Sequence, residues 1–126
     1  MQSGSFVLIL HTHLPWVLHH GNWPHGVDWL TEAVAECYIP LLNVFNDLMN
    51  ENIYPKVTLD ISPVLCEQLE HPDFEKIFED YCLEKINAAR KDADDFKKWG
   101  WDAHSIYLAN WWAQWYEARL GDYKNK

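Results

Sequence analysis

Basic side chains are scarce in this 126-residue chain: 10 Lys and Arg stand against 19 Asp and Glu, for a formal charge of −9. Nucleic acid and anionic membrane surfaces call for basic patches, so neither is an expected partner. Long hydrophobic runs are missing too. The apolar run Phe6 to Leu10 lacks a basic flank, is cut off by His11 and falls far short of the roughly 18 residues of a membrane span, so it reads neither as a signal peptide nor as an anchor. Cysteines are only three, Cys37, Cys66 and Cys82, an odd number within apolar helical patterns. They do not make a disulfide framework, and we read them as buried free thiols of a cytoplasmic protein. No HExxH or CxxC pattern occurs, so no metal is expected. Internal repeats and low-complexity tracts are absent.

What the chain does have is Phe6-Val-Leu-Ile-Leu-His-Thr-His-Leu-Pro-Trp16. Five large apolar residues in a row are too few for a lone helix and too uniform for a strand with one wet face, which predicts a parallel strand covered on both faces. His11-Thr12-His13 marks its carboxyl end, where parallel α/β folds place ligands. Residues two apart in a strand project to one face, so His11 and His13 can point together. His-x-His supplies two metal ligands, but no nearby pattern adds a third and fourth. Pro15 ends the strand ladder.

After a short lead-in over Met1 to Ser5 and this strand, a loop from Leu14 to Gly26 carries Trp16 and Trp23. Its length marks it as a candidate functional loop. From Val27 a helical period runs to Met49, with Pro40 predicting a kink at about Tyr38. Lys56 to Ile61 returns to strand character, completing a βαβ unit. Ser62-Pro63 predicts a capped short helix to Leu69, and Asp73 a cap for a helix to about Trp99 with Phe74, Ile77, Phe78, Tyr81, Cys82, Ile86, Ala89 and Phe96 inward. Gly100 breaks it, and Asp102 opens a last helix that should end at Gly121. The fold class is therefore α/β, helix-rich, with about two parallel strands.

His11-Thr-His-Leu-Pro-Trp16, His20-Gly-Asn-Trp-Pro-His-Gly26 with its continuation to Ala33, Glu36-Cys-Tyr-Ile-Pro-Leu-Leu42 and Ser62-Pro-Val-Leu-Cys-Glu-Gln-Leu69 together resemble the amino terminus of family 57 glycoside hydrolases, above all their 1,4-α-glucan branching enzymes. The resemblance covers roughly the first two thirds of the chain. It implies an incomplete barrel of seven β/α units, of which residues 1–126 would be one partial catalytic domain, completed by the rest of the barrel. It also implies an α-glucan such as glycogen, amylose or starch as substrate, no cofactor, and a retaining mechanism that cleaves an α-1,4 link and transfers the glucan to a 6-hydroxyl.

A retaining mechanism needs two carboxylates about 5 Å apart, one nucleophile and one general acid/base. The family's glutamate and aspartate motifs for these roles are absent here, so no catalytic carboxylate is assigned; Asp60, the one acid on a strand, reads as structural or supporting. His11 and His13 match the family's first signature, which implies hydrogen bonds to the sugar next to the cleaved link. Trp16 and Trp23 are candidate platforms for sugar faces. On this reading the isolated chain is inactive, and its uncovered strand edge makes self-association an expectation. A family 57 α-amylase or 4-α-glucanotransferase, and a non-catalytic carbohydrate-binding or interaction module, are the competing readings.

Overall fold

The computed structural model describes residues 4–125; the first three residues of the lead-in lie outside them. β1 (Leu8–Thr12) is followed by a loop, α1 (Asp28–Ala33), a π-helical turn (Val34–Tyr38) and α2 (Ile39–Asn50). β2 (Val57–Ile61), α3 (Pro63–Leu69), α4 (Phe74–Trp99) and α5 (Ala103–Lys124) complete the order. β1 and β2 pair in parallel, with Leu8 opposite Val57 and His11 opposite Asp60. The result is a helix-rich α/β fold on a two-stranded parallel sheet. No helix among the described residues is long and apolar enough to cross a membrane.

Pro40 acts where its chemistry requires. It has no amide hydrogen and crowds the preceding turn, and the helix meets this with the π turn Val34–Tyr38 directly before it rather than with a break. α4 stops at Gly100, which takes the left-handed conformation (φ 71°) that a β-carbon would oppose. Asp102 then caps α5 by accepting from the amides of His104 and Ser105 at 2.9 and 3.0 Å.

Four expectations need correction. β1 is not covered on both faces: it begins two residues later than the apolar run, and Phe6 and Ile9 are 88% and 60% exposed. The core joins Val17 and Leu18 of the loop to Leu30, Val34, Leu65, Phe74, Phe78, Ile86 and Tyr116, and among the described residues includes no strand residue. Leu59 and Ile61 of β2 line an apolar hollow together with Tyr38, Leu41 and Phe45. Second, Cys37 and Cys66 are exposed, and Cys82 alone is a buried thiol. Third, neither Ser62 nor Asp73 caps with its side chain. The Ser62 hydroxyl is buried without a partner among the described residues, and the Asp73 carboxylate is turned toward His19 and His71. Fourth, α5 continues through Gly121. The glycine costs about 1 kcal/mol in a helix, and contacts around it offset that: Asp122 accepts from Asn43 at 2.8 Å and pairs with Arg119, while Lys124 reaches Glu79 at 2.6 Å.

At the α4/α5 interface Tyr81 packs edge-on against Tyr116 with ring centres 6.0 Å apart, and the Tyr116 hydroxyl donates to Glu36 on the π turn at 3.1 Å. Burial is the main reason that both phenols resist ionisation; Tyr116 is pushed up to about 12, and Tyr81 is raised further. Burial also pushes the Cys82 thiol up to about 11 from its ordinary 9.0. These groups fold in their protonated form, whereas an unfolded chain releases the same protons from about pH 9 to 10. Their contribution is therefore complete below pH 9 and is lost as pH rises toward 11 to 12. The thermal midpoint should stay level to about pH 9 and then fall, with tyrosinate absorbance from Tyr81 and Tyr116 appearing only on unfolding. A level midpoint through pH 11 contradicts this account.

Candidate functional site

At the carboxyl end of the sheet, the parallel register sets His11 of β1 beside Asp60 of β2, and His11 Nδ1 lies 2.6 Å from Asp60 Oδ2. The pair is braced by Thr12, whose hydroxyl donates to the Asp60 carbonyl at 3.1 Å. With Nδ1–H given to the carboxylate, the imidazole is held in one tautomer and one orientation, and Nε2 is left for a ligand. Both side chains remain more than half exposed, at 66% and 58%. His13 follows the end of the strand and is exposed. Asp60 thus hydrogen-bonds His11, its partner in the register of the two strands.

The loop that leaves β1 is anchored by Gln68, a buried polar residue on α3. Its Oε1 accepts from the Val17 amide at 2.7 Å and its Nε2 donates to the Pro15 carbonyl at 3.0 Å. Between these two bonds sits Trp16, 40% exposed, edge-on to His71 at 6.2 Å. Trp23 lies farther along and is 76% exposed. The loop closes where the Val27 amide donates to the Gly21 carbonyl at 2.8 Å. Gly26 is required there, because a β-carbon would fall 2.0 Å from that oxygen. The structure brings Trp16 to His71 rather than to His11 or His13. Gln68 was missed by the sequence reading; a glutamine among apolar positions of a short helix was the available signal.

Gln68→Leu should remove both bonds and leave the Val17 amide buried without an acceptor, at a cost of about 1–3 kcal/mol. The expected result is a lower thermal midpoint together with a redshifted, more quenchable tryptophan emission as Trp16 loosens. An unchanged midpoint counts against the clamp.

Two parallel strands joined through a helical crossover, with polar residues at their carboxyl ends, make a βαβ unit of the parallel α/β class of folds. No family model matches the chain. It is 36% identical over 116 residues to a 1,4-alpha-glucan branching enzyme of Thermococcus kodakarensis, covering 91% of this chain and 17% of that one. It is 44% identical over 84 residues to a probable 1,4-alpha-glucan branching enzyme of Mycobacterium tuberculosis, covering 67% and 14%. Among solved structures, the GH57-type branching enzyme of Pyrococcus horikoshii superposes with a TM-score of 0.87 at 33% identity, covering 94% of this chain and 22% of that one. The alpha-amylase AmyC of Thermotoga maritima gives 0.77 at 29% identity, covering 94% and 22%. The chain is a homologue of the family 57 glycoside hydrolases and matches their branching enzymes along most of its length. It spans less than a quarter of the length of the relatives it matches.

Proposed function

We propose that this chain forms the first β/α part of an incomplete (β/α)7 barrel in an α-glucan branching enzyme, and that His11 and His13 build one wall of its sugar site. The observation that carries the reading is the His11–Asp60 pair at the carboxyl ends of the two strands, in a chain similar to branching enzymes. Asp60 fixes the ring; His11 Nε2 then hydrogen-bonds a hydroxyl of the sugar beside the cleaved link. Such a bond accelerates the reaction when it tightens as positive charge develops on the sugar ring. Trp16 and Trp23, the exposed rings of the adjoining loop, supply stacking faces for a neutral polymer. The nucleophile and the acid/base of the retaining mechanism come from outside these residues, so this chain binds and orients without breaking the glycosidic bond.

The test is twofold. Amylose in a native gel should retard the protein, and Trp16→Ala with Trp23→Ala should reduce the retardation. The 126-residue chain alone should form neither α-1,6 branch points nor reducing ends from amylose. New branch points from the chain alone would overturn the assignment of the carboxylates, and unaltered mobility in amylose would overturn the sugar wall. Similarity to an alpha-amylase structure favours hydrolysis as the second reading. Reducing ends without branch points, produced by a longer chain that contains this one, would select it.

A further inference from the structure

Away from the His11–Asp60 pair, a second cluster joins the loop to the turn between α3 and α4. His19 Nε2 lies 3.5 Å from Asp73 Oδ2, and His71 Nδ1 lies 3.8 Å from the same oxygen. The ligand-capable atoms of the three residues all fall within 4.8 Å of one another. Bonds of about 2.0–2.1 Å from a tetrahedral ion to nitrogen and oxygen put neighbouring ligand atoms about 3.3 Å apart. The spacings here need only small side-chain rotations to reach that value. His19 holds its position through a left-handed backbone (φ 66°), a conformation uncommon for a residue with a β-carbon and one that marks functional positions. The Asp73 carboxylate leaves the amides of α4 uncapped in favour of this cluster.

The surroundings suit a cation. His19 also borders a hollow of about 340 Å³ whose lining includes Asp28, Asp80 and Glu84 and no Lys or Arg. Asp80 is paired with Lys76, so Asp28 and Glu84 set the sign of the local field. One interaction competes: the Asp73 amide donates to His71 Nδ1 at 3.2 Å, a long bond that metal binding at that nitrogen would replace.

We propose that His19, His71 and Asp73 form a three-ligand site for a divalent transition-metal ion, Zn²⁺ by the character of its donors, with the fourth position open to water. Two imidazoles and one carboxylate are the donor set of a three-ligand zinc site. The ion clips the loop that carries Trp16 to the start of α4, across 52 residues of sequence, and so orders that loop without taking part in sugar chemistry.

The test is calorimetric titration of ZnCl₂ into purified Cys37→Ser/Cys66→Ser protein, since those exposed thiols would bind zinc on their own account. One equivalent should bind. His19→Asn, which tolerates the left-handed backbone, and Asp73→Asn should each weaken binding about tenfold or more, while His13→Asn should leave it unchanged. Bound zinc should also raise the thermal midpoint in proportion to the logarithm of its concentration. Co²⁺ in place of Zn²⁺ should give a visible absorption band that Asp73→Asn abolishes, a readout that decides the matter even if His19→Asn misfolds. No stoichiometric binding, equal affinity in the Asp73→Asn protein, or loss of binding with His13→Asn instead would each overturn the site.

Discussion

On the proposed function, replacing His11 by alanine in a longer glucan-branching protein that contains this chain is expected to lower turnover about a hundredfold while leaving glucan binding and stability nearly intact. The figure corresponds to about 2.7 kcal/mol of barrier, the usual loss when one well-placed hydrogen bond to a developing charge is removed. Stability should hardly move, because the His11–Asp60 pair is more than half exposed and exposed ion pairs contribute at most about 1 kcal/mol. Asp60→Asn should fall between wild type and His11→Ala, since it keeps the shape of the support but not its charge. Turnover and thermal midpoint measured on one preparation separate the possible outcomes. Normal turnover with a lowered midpoint would make His11 a structural residue and remove the basis of the sugar wall.

The largest effect on folding is expected at Phe78. This side chain is fully buried, stacks on Phe74 with ring centres 6.0 Å apart and meets Tyr123 at 4.7 Å. It lies where α4, α5 and the loop after β1 share one core. Phe78→Ala removes a large ring from a close-packed site and leaves a cavity, at a cost of about 3–5 kcal/mol. Against a total stability of about 5–15 kcal/mol, that lowers the thermal midpoint by more than 10 °C or so at this size. Leu83→Ala on the same helix is the control, because Leu83 is 42% exposed and outside the core and alanine favours the helix. Equal midpoints for the two variants would show that Phe78 does not carry the core.

Much of the site was readable from residue order, and the unreadable parts have specific causes. His11 and Asp60 could each be placed near a strand end. Their contact could not, because it depends on register: a slip of one residue would turn Asp60 to the opposite face of the sheet. Gln68 belongs to the Ser62–Leu69 motif, but only the approach of Pro15 and Val17 shows what it holds. His19, His71 and Asp73 are spaced like no metal motif, since the first is 52 residues from the second.

By itself the sequence determined the order and kind of the elements, because those follow from short-range rules. The spacing of apolar residues made α1 to α5 helical, Pro40 required an irregular turn before it, and Gly100 and Asp102 marked the boundary between α4 and α5. The motifs that resemble family 57 were equally local, and the chain superposes on a GH57-type branching enzyme with a TM-score of 0.87. Only the tertiary structure decided which apolar faces became core. Among the described residues the core gathers α4 and α5 with Leu18 and Leu30, while β1, Cys37 and Cys66 face solvent and His19 lies beside a turn far along the chain. Burial depends on which surfaces meet in space, and no local pattern carries that information.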